Sequence, residues 1–354
     1  MVTNMRKILE KTAVLFLLAG LIISLFPASI AMADSNSGKC GENLTWTLDA
    51  DGTLTIKGSG DMYRYGSTPA DERDEEDEGE PDPSPWNSNA KVKKLVFEGN
   101  VTSIGDYAFA NCNGLTSVTV PETVTSIKHG AFYSCERLTS VKIPDSVNTI
   151  GKEAFSFCEK LSSVNIPKDI KTISDWTFEN CTSLKNIKIP EGVTVIGSAA
   201  FGDCGLTSVK LPISLTTIGW GAFSGCSKLK SVVIPDNVTK IDNYAFTDCK
   251  NLRSVSGGAK VNTIGRKAFA ECRKLKSFSI SSPVLKKIGS YAFYKDSSLK
   301  TIKIKKTTKL TKKGVKNSLK GSKVWRIKAK KSKLRKYRIY FRKANSGRYV
   351  KMVK

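Results

Sequence analysis

A 23-residue beat runs through most of this chain, and it leaves few folds open. Eight cysteines stand at positions 112, 135, 158, 181, 204, 226, 249 and 272, and every interval is 23 residues except one of 22. Phenylalanines keep the same beat at 109, 132, 155, 178, 201, 223, 246, 269 and 293, with one interval of 22 and a last one of 24, and an isoleucine precedes each by five residues, from Ile104 to Ile288. A unit this short cannot bury its own apolar side. It must bury it against a neighbouring copy, so the chain is a stack of coils and not a closed globule.

The unit, written out for residues 115–137, is LTSVTVPETVTSIKHGAFYSCER. Its first half alternates at Val118 and Val120, as a short half-buried strand does. Pro121 ends that strand, because proline cannot donate to a ladder. The second half spaces Val124, Ile127, Ala131, Phe132 and Cys135 by one to four residues. That spacing predicts a short helical or 3₁₀ turn returning the chain to the next strand. Strands centred on Leu95, Val118, Val141, Val164, Ile187, Val209, Val232, Val255, Phe278 and Ile302 give ten coils, with a weaker one at residues 324–327. At about 4.8 Å per coil the stack is roughly 50 Å long.

The recurring SIGDYAFANC…LTSVTVP pattern resembles the BspA-type leucine-rich repeat of bacterial surface and secreted proteins, over about residues 92–304. The segment CGENLTWTLDADGTLTIKGSGDM (residues 40–62) is similar to the one that precedes such repeats. The resemblance implies an α/β solenoid: a right-handed leucine-rich-repeat superhelix with one short parallel strand per 23-residue repeat. It also implies protein or surface binding without catalysis and without a cofactor. The asparagine that follows the strand in many other leucine-rich repeats is missing, so their ladder geometry is not carried over.

The ends differ from the repeats. Residues 1–33 carry Arg6, Lys7 and Lys11, an apolar run from Ala13 to Phe26 and the small-residue end Ala31-Met32-Ala33. This is the pattern of a secretory signal peptide cleaved near Ala33, with a run too short for a membrane span. The expected product is secreted or associated with the cell surface, with no transmembrane span. Residues 34–65 read as an N-terminal β-hairpin cap, with Leu44, Trp46 and Leu48 alternating before the Asp51-Gly52 turn and Leu54 and Ile56 after it. Residues 66–91 read as an acidic, proline-rich disordered loop, because DERDEEDEGE (71–80) holds eight acids and one arginine. The spacing of those acids does not fit a calcium loop. Residues 305–354 read as a basic C-terminal cap: a degenerate repeat at 313–319, then an amphipathic helix over Ser332–Ala344 that covers the final coil.

Three coils depart from the unit. Cys204-Gly205-Leu206 is one residue short, Gly257-Gly258 replaces the Ile-Pro strand ending, and Ser281-Ser282-Pro283 adds a residue. Each is expected to bend or loosen the stack locally.

The cysteine ladder is read as reduced, buried thiols. Equivalent side chains in a ladder point the same way, which suits the disulfide dihedral poorly, and a buried thiol packs as a small hydrophobe. No paired C-x₂-C spacing points to zinc. His129 is the single histidine, at a variable turn position, and a nucleophilic triad would hang on it alone. Neither a G-x-S-x-G elbow nor a phosphate-binding glycine loop is present.

Two surfaces remain as candidate sites. The first is the outward strand face, represented by Thr119, Lys142, Asn165, Asn186, Lys188, Lys210, Val233, Ser256, Ser279 and Lys303, suited to an unidentified protein or glycan. It lacks the aromatic and arginine anchors of tight interfaces. The second is a polyanion patch of Lys305, Lys306, Lys309, Lys312, Lys313, Arg326, Lys328, Lys330, Lys331, Arg335, Lys336 and Arg338. Charge bookkeeping singles it out. The formal net charge of +25 divides into +2 from residues 1–33, zero from 34–294 (30 basic, 30 acidic) and +23 from 295–354 (24 basic, one acidic). The leading reading is an exported, non-catalytic binding or adhesion protein. The alternative is an envelope-associated structural protein whose tail grips an anionic cell-wall polymer. Export places nucleic acid behind both.

Overall fold

A computed structural model describes residues 36–66, 82–304, 309–324, 326–329, 334–342 and 351–353. The leader, the acidic run 71–80, and Lys305, Lys306, Lys330 and Lys331 lie outside the described residues. The repeats form a parallel-strand solenoid of about ten coils.

Each regular coil carries two strands, not the one expected. The first is the anticipated strand: Ser117–Thr119, Ser140–Lys142 and Ser163–Val164 pair in register, and so do Ser231–Ile234, Ser254–Gly257, Ser277–Ile280 and Thr301–Ile304. The second is a two-residue strand ending on the repeating isoleucine. Thr172–Ile173, Val195–Ile196, Thr217–Ile218, Lys240–Ile241, Thr263–Ile264 and Lys287–Ile288 pair in parallel along the stack. The reason is local: each pair ends on a β-branched isoleucine, and the next coil offers a pair ending on the same residue to bond.

The stretch after that isoleucine is neither helical nor 3₁₀ in the repeats. It turns through two left-handed corners four residues apart, such as Tyr107 and Asn111, Glu153 and Phe157, or Trp176 and Asn180. At those corners the backbone N–H bonds to the next coil, as Phe157 N–H does to the Glu179 carbonyl at 2.8 Å. A helix satisfies its backbone within itself; here the neighbouring coil does so, and the helical expectation fails for that reason.

Between the two strand rows lies one continuous core. The nine phenylalanines are all buried and stack face to face, with centroids 5.4 Å apart for Phe132–Phe155 and 5.6 Å for Phe155–Phe178. All nine cysteines are buried free thiols. Each ladder thiol donates to the carbonyl of a residue one coil back: Cys135 to Phe109 at 3.0 Å, Cys158 to Phe132 at 3.1 Å, Cys272 to Phe246 at 3.1 Å. The thiol therefore satisfies a carbonyl that the corner leaves facing the core. Burial pushes the Cys158 and Cys272 thiols well up, so they stay protonated and able to donate.

At the N-terminal end, β1 (Ser37–Leu48) and β2 (Thr53–Met62) form the expected antiparallel hairpin, with Trp46 opposite Ile56. β2 then runs parallel to β3 (Lys94–Ile104) and so joins the ladder. The loop expected to be disordered to residue 91 is ordered from Asp82. Trp86 is fully buried, stacks on Phe109 at 5.8 Å, and its indole N–H donates to the Ala108 carbonyl at 2.7 Å. At the C-terminal end, the strand Arg326–Ala329 continues the first strand row. The helix α1 (Leu334–Arg342) buries Tyr337 and Phe341, but it is not the last element. Lys351–Val353 follows it and pairs in parallel with Arg326–Ala329. Parallel neighbours need a crossover connection, and α1 lies in it.

Candidate binding surface

The strand face is exposed as expected. Thr119, Lys142, Asn165, Asn186, Lys188, Lys210, Val233, Ser256 and Lys303 are exposed, and Ser279 is half-buried. Val233 is the apolar exception, at 65% exposure.

The face is not uniform. Its ladder is interrupted between Ser163–Val164 and the row that begins at Ser231, with a lone Lys188–Lys210 bridge in the gap. The inward residues follow suit: Val141 and Val232 are buried, whereas Val164, Ile187 and Val209 are half-buried. The short Cys204-Gly205-Leu206 coil lies in this stretch. Asn165, at the edge of the break, bonds back to the coil before it. Its side-chain amide donates to the Ile143 carbonyl at 2.6 Å and accepts the Ile143 N–H at 2.9 Å. That amide therefore serves the fold before it serves a ligand.

Beside the break is a groove of about 620 Å³ lined by Asp145, Val164, Asn165, Lys168, Lys188 and Glu191, among others. Its charges alternate: Lys168 pairs with Asp145 at 3.7 Å and Lys210 with Glu191 at 3.5 Å. The Glu191 carboxylate also accepts the Ile213 N–H at 2.9 Å, which fixes it in place. The volume lies in the range of small-ligand sites. The strand-face expectation named Lys188 and Asn165 but missed Asp145, Lys168 and Glu191, which follow the strand-ending proline. The signal was the proline turn itself, which throws the next residues to the rim of the face.

The polyanion candidates are partly assembled. Lys309, Lys312, Lys313, Lys328, Arg335, Lys336 and Arg338 are exposed and Arg326 is half-buried. Strand pairing sets Lys303 against Lys328 and Arg326 against Lys351. Like charges side by side on a sheet repel, and a bound polyanion relieves that. Lys303 of the strand face lies beside Lys328 of the basic patch, so the basic end continues the strand face.

His129 is half-exposed on the opposite side of the coil. Its Nε2 lies 3.2 Å from the Tyr107 hydroxyl and 3.6 Å from a Glu153 oxygen. These partners are a phenol and a carboxylate, and neither is a nucleophile awaiting a base. Among the described residues no group of three or more His, Cys, Asp or Glu is placed to hold a metal ion. No helix among them is long and apolar enough to cross a membrane.

The model of the BspA-type leucine-rich repeat region matches residues 86–207 and 194–322. The chain belongs to the BspA-type leucine-rich repeat family. A leucine-rich repeat protein from Bacteroides ovatus has a similar crystal structure, with 27% identity and a TM-score of 0.53 over 81% of this chain and 84% of that one. A leucine-rich cell surface protein from Faecalibacterium prausnitzii is 24% identical over 81% of this chain and 87% of that one, with a TM-score of 0.38. No curated protein matches the sequence. Proteins of this bacterial repeat type are generally protein-binding and non-catalytic.

Proposed function

We propose that this chain is an exported, non-catalytic leucine-rich repeat protein that binds a protein or glycan at or near the bacterial surface through its strand face. The observation that carries the reading is the groove at the broken ladder, where Lys188, Lys168, Asp145 and Glu191 surround half-exposed apolar residues on an otherwise flat polar face. The leader pattern of residues 1–33 supports export. The test is a protein and glycan panel probed with residues 34–354 at low and high salt. A ligand retained at high salt and lost in Lys188→Ala/Glu191→Ala supports the site. Retention unchanged in that variant refutes it.

The second reading has its own observation: Lys303, Arg326, Lys328 and Lys351 are brought together at one end of the ladder. On that reading the basic end holds the protein to an anionic wall polymer, with affinity that falls as salt rises. Wall binding unchanged in Lys303→Glu/Lys328→Glu would count against it.

A further inference from the structure

The left-handed corners carry a second surface, which the strand-face reading does not use. Glycine fills such corners at Gly130, Gly221 and Gly225, so the turn itself asks for nothing larger. Elsewhere bulky residues occupy them against their backbone preference, among them Tyr107 at φ 50° and Phe157 at φ 59°. Strain of this kind, kept where glycine would serve, points to a use for the side chain.

Along the first three repeats an aromatic edge runs beside these corners: Tyr133, one residue before the corner at Ser134, lies 6.4 Å from Tyr107 and 5.6 Å from Phe157, and Phe157 is 37% exposed. Carboxylates stand beside it. Phe157 N–H bonds to the carbonyl of Glu179 at 2.8 Å, so these residues are neighbours across coils. The Glu179 side chain lies over Gly202, where a Cβ would be 3.7 Å from its Cγ, and the Asp203 carboxylate lies over Gly225, where a Cβ would collide with it. Glu153 is drawn towards His129, but Glu179 and Asp203 have no basic partner within ion-pair distance among the described residues. Burial holds both carboxyls above their ordinary range. Asp203 and Glu153 add to this at Glu179; at Asp203 the Asp248 charge adds to it and the Lys250 charge offsets part of it. Aromatic faces and unpaired carboxylates attract the same thing: a cation that lies on a ring and pairs with an oxygen.

We propose that the edge formed by Tyr133, Phe157, Glu179 and Asp203 docks the lysine- and arginine-rich C-terminal segment of a second copy of this chain. The chain supplies the occupant itself, since residues 295–354 carry a net +23 while residues 34–294 are neutral. Arg335 and Lys336, exposed on α1, are the groups chosen to probe that segment. A contact between one surface and a different surface of the next copy is heterologous, so it propagates head to tail.

The experiment is sedimentation velocity on residues 34–354 at 50 mM and 500 mM salt. Concentration-dependent association is expected at low salt and dissociation at high salt. Glu179→Gln/Asp203→Asn is expected to abolish association while melting no lower than the parent, because it removes unpaired charge. Arg335→Glu/Lys336→Glu is expected to abolish it too. Mixing Glu179→Lys/Asp203→Lys with Arg335→Glu/Lys336→Glu is expected to restore it. A chain that is monomeric at every salt, or one that associates regardless of Glu179 and Asp203, overturns the proposal. So does a chain whose association instead depends on the acidic run 71–80. A monomer that binds deca-lysine through Glu179 and Asp203 overturns the second copy as occupant. None of these outcomes depends on whether the strand face finds its ligand.

Discussion

Asp296 sits where the ninth cysteine of the ladder would be. It follows Phe293 by three residues, as Cys272 follows Phe269, and it makes the same turn, with its N–H on the Phe293 carbonyl. It is fully buried, and neither carboxylate oxygen has a hydrogen-bond partner. Burial holds this carboxyl well above its ordinary range, with Cys272 and Glu271 adding to the shift. Replacing Asp296 with Cys restores the residue that the fold repeats elsewhere. An unsatisfied buried polar group costs about 1–3 kcal/mol, so the variant is expected to gain about that much near pH 4, where the carboxyl is neutral in both states. A gain of this size corresponds to a rise of roughly 2–4 °C in Tm per kcal/mol in a domain of this order of size. The pH dependence carries the sharper sign. The folded state holds the Asp296 proton more tightly than the unfolded state, whose carboxyl titrates at about pH 3.9. The contribution is therefore fully present below about pH 4. It declines by about 1.4 kcal/mol per pH unit above that, until the folded carboxyl itself ionises. Urea titrations of parent, Asp296→Cys and Asp296→Asn between pH 4 and pH 8 measure this. The parent is expected to lose stability relative to both variants as pH rises. Parallel curves, or a variant less stable than the parent at pH 8, refute the assignment of Asp296 as a neutral stand-in for the thiol.

Phe155→Ala removes a ring stacked on both sides and is expected to cost about 3–5 kcal/mol, read by chemical denaturation; a loss below about 1 kcal/mol contradicts its place in the core. Cys158→Ala leaves the Phe132 carbonyl without its donor and is expected to destabilise by about 1–3 kcal/mol, while Cys158→Ser, which keeps a donor, is expected to cost less. A thiol reagent at pH 8 is expected to leave the ladder cysteines unmodified in the native protein and to modify them after unfolding. Stability is expected to fall above about pH 9, where unfolded thiols ionise and folded ones do not; Cys40 is pushed up to about 12 by burial.

The periodic part of the fold was legible because every copy repeats the same packing problem. The positions of Ile127, Phe132 and Cys135 alone named the core of a whole coil. The second strand was hidden because two residues, Thr149-Ile150 for example, are too few to reveal a period. The absence of helix was hidden for another reason. Intervals such as those between Ile127, Ala131 and Cys135 suit a helix, while the left-handed corners at Gly130 and Ser134 that prevent one depend on bonds to the next coil. The groove at Lys188 was half legible, since the shortened coil at Gly205 flagged a disturbance without saying which side chains it exposes. The aromatic edge had no such signal: Tyr133 and Phe157 stand at different positions of the unit, one and two residues after the repeating phenylalanine.

The hydrogen bonds of the ladder also answer a chemical question that the proposed export raises. An oxidising compartment ordinarily turns neighbouring thiols into disulfides. Here each sulfur is committed to a carbonyl one coil away, as Cys181 is to Phe155 at 3.2 Å and Cys226 to Phe201 at 3.0 Å. Forming a bond between adjacent sulfurs requires withdrawing two donors and leaving two buried carbonyls unsatisfied. It also requires a thiolate, which burial disfavours at rungs such as Cys112 and Cys204. The same protonated hydrogen bond that completes the coil thus holds the thiol in its least reactive form. On this argument the repeat keeps cysteine because it is the smallest apolar side chain that still donates a proton.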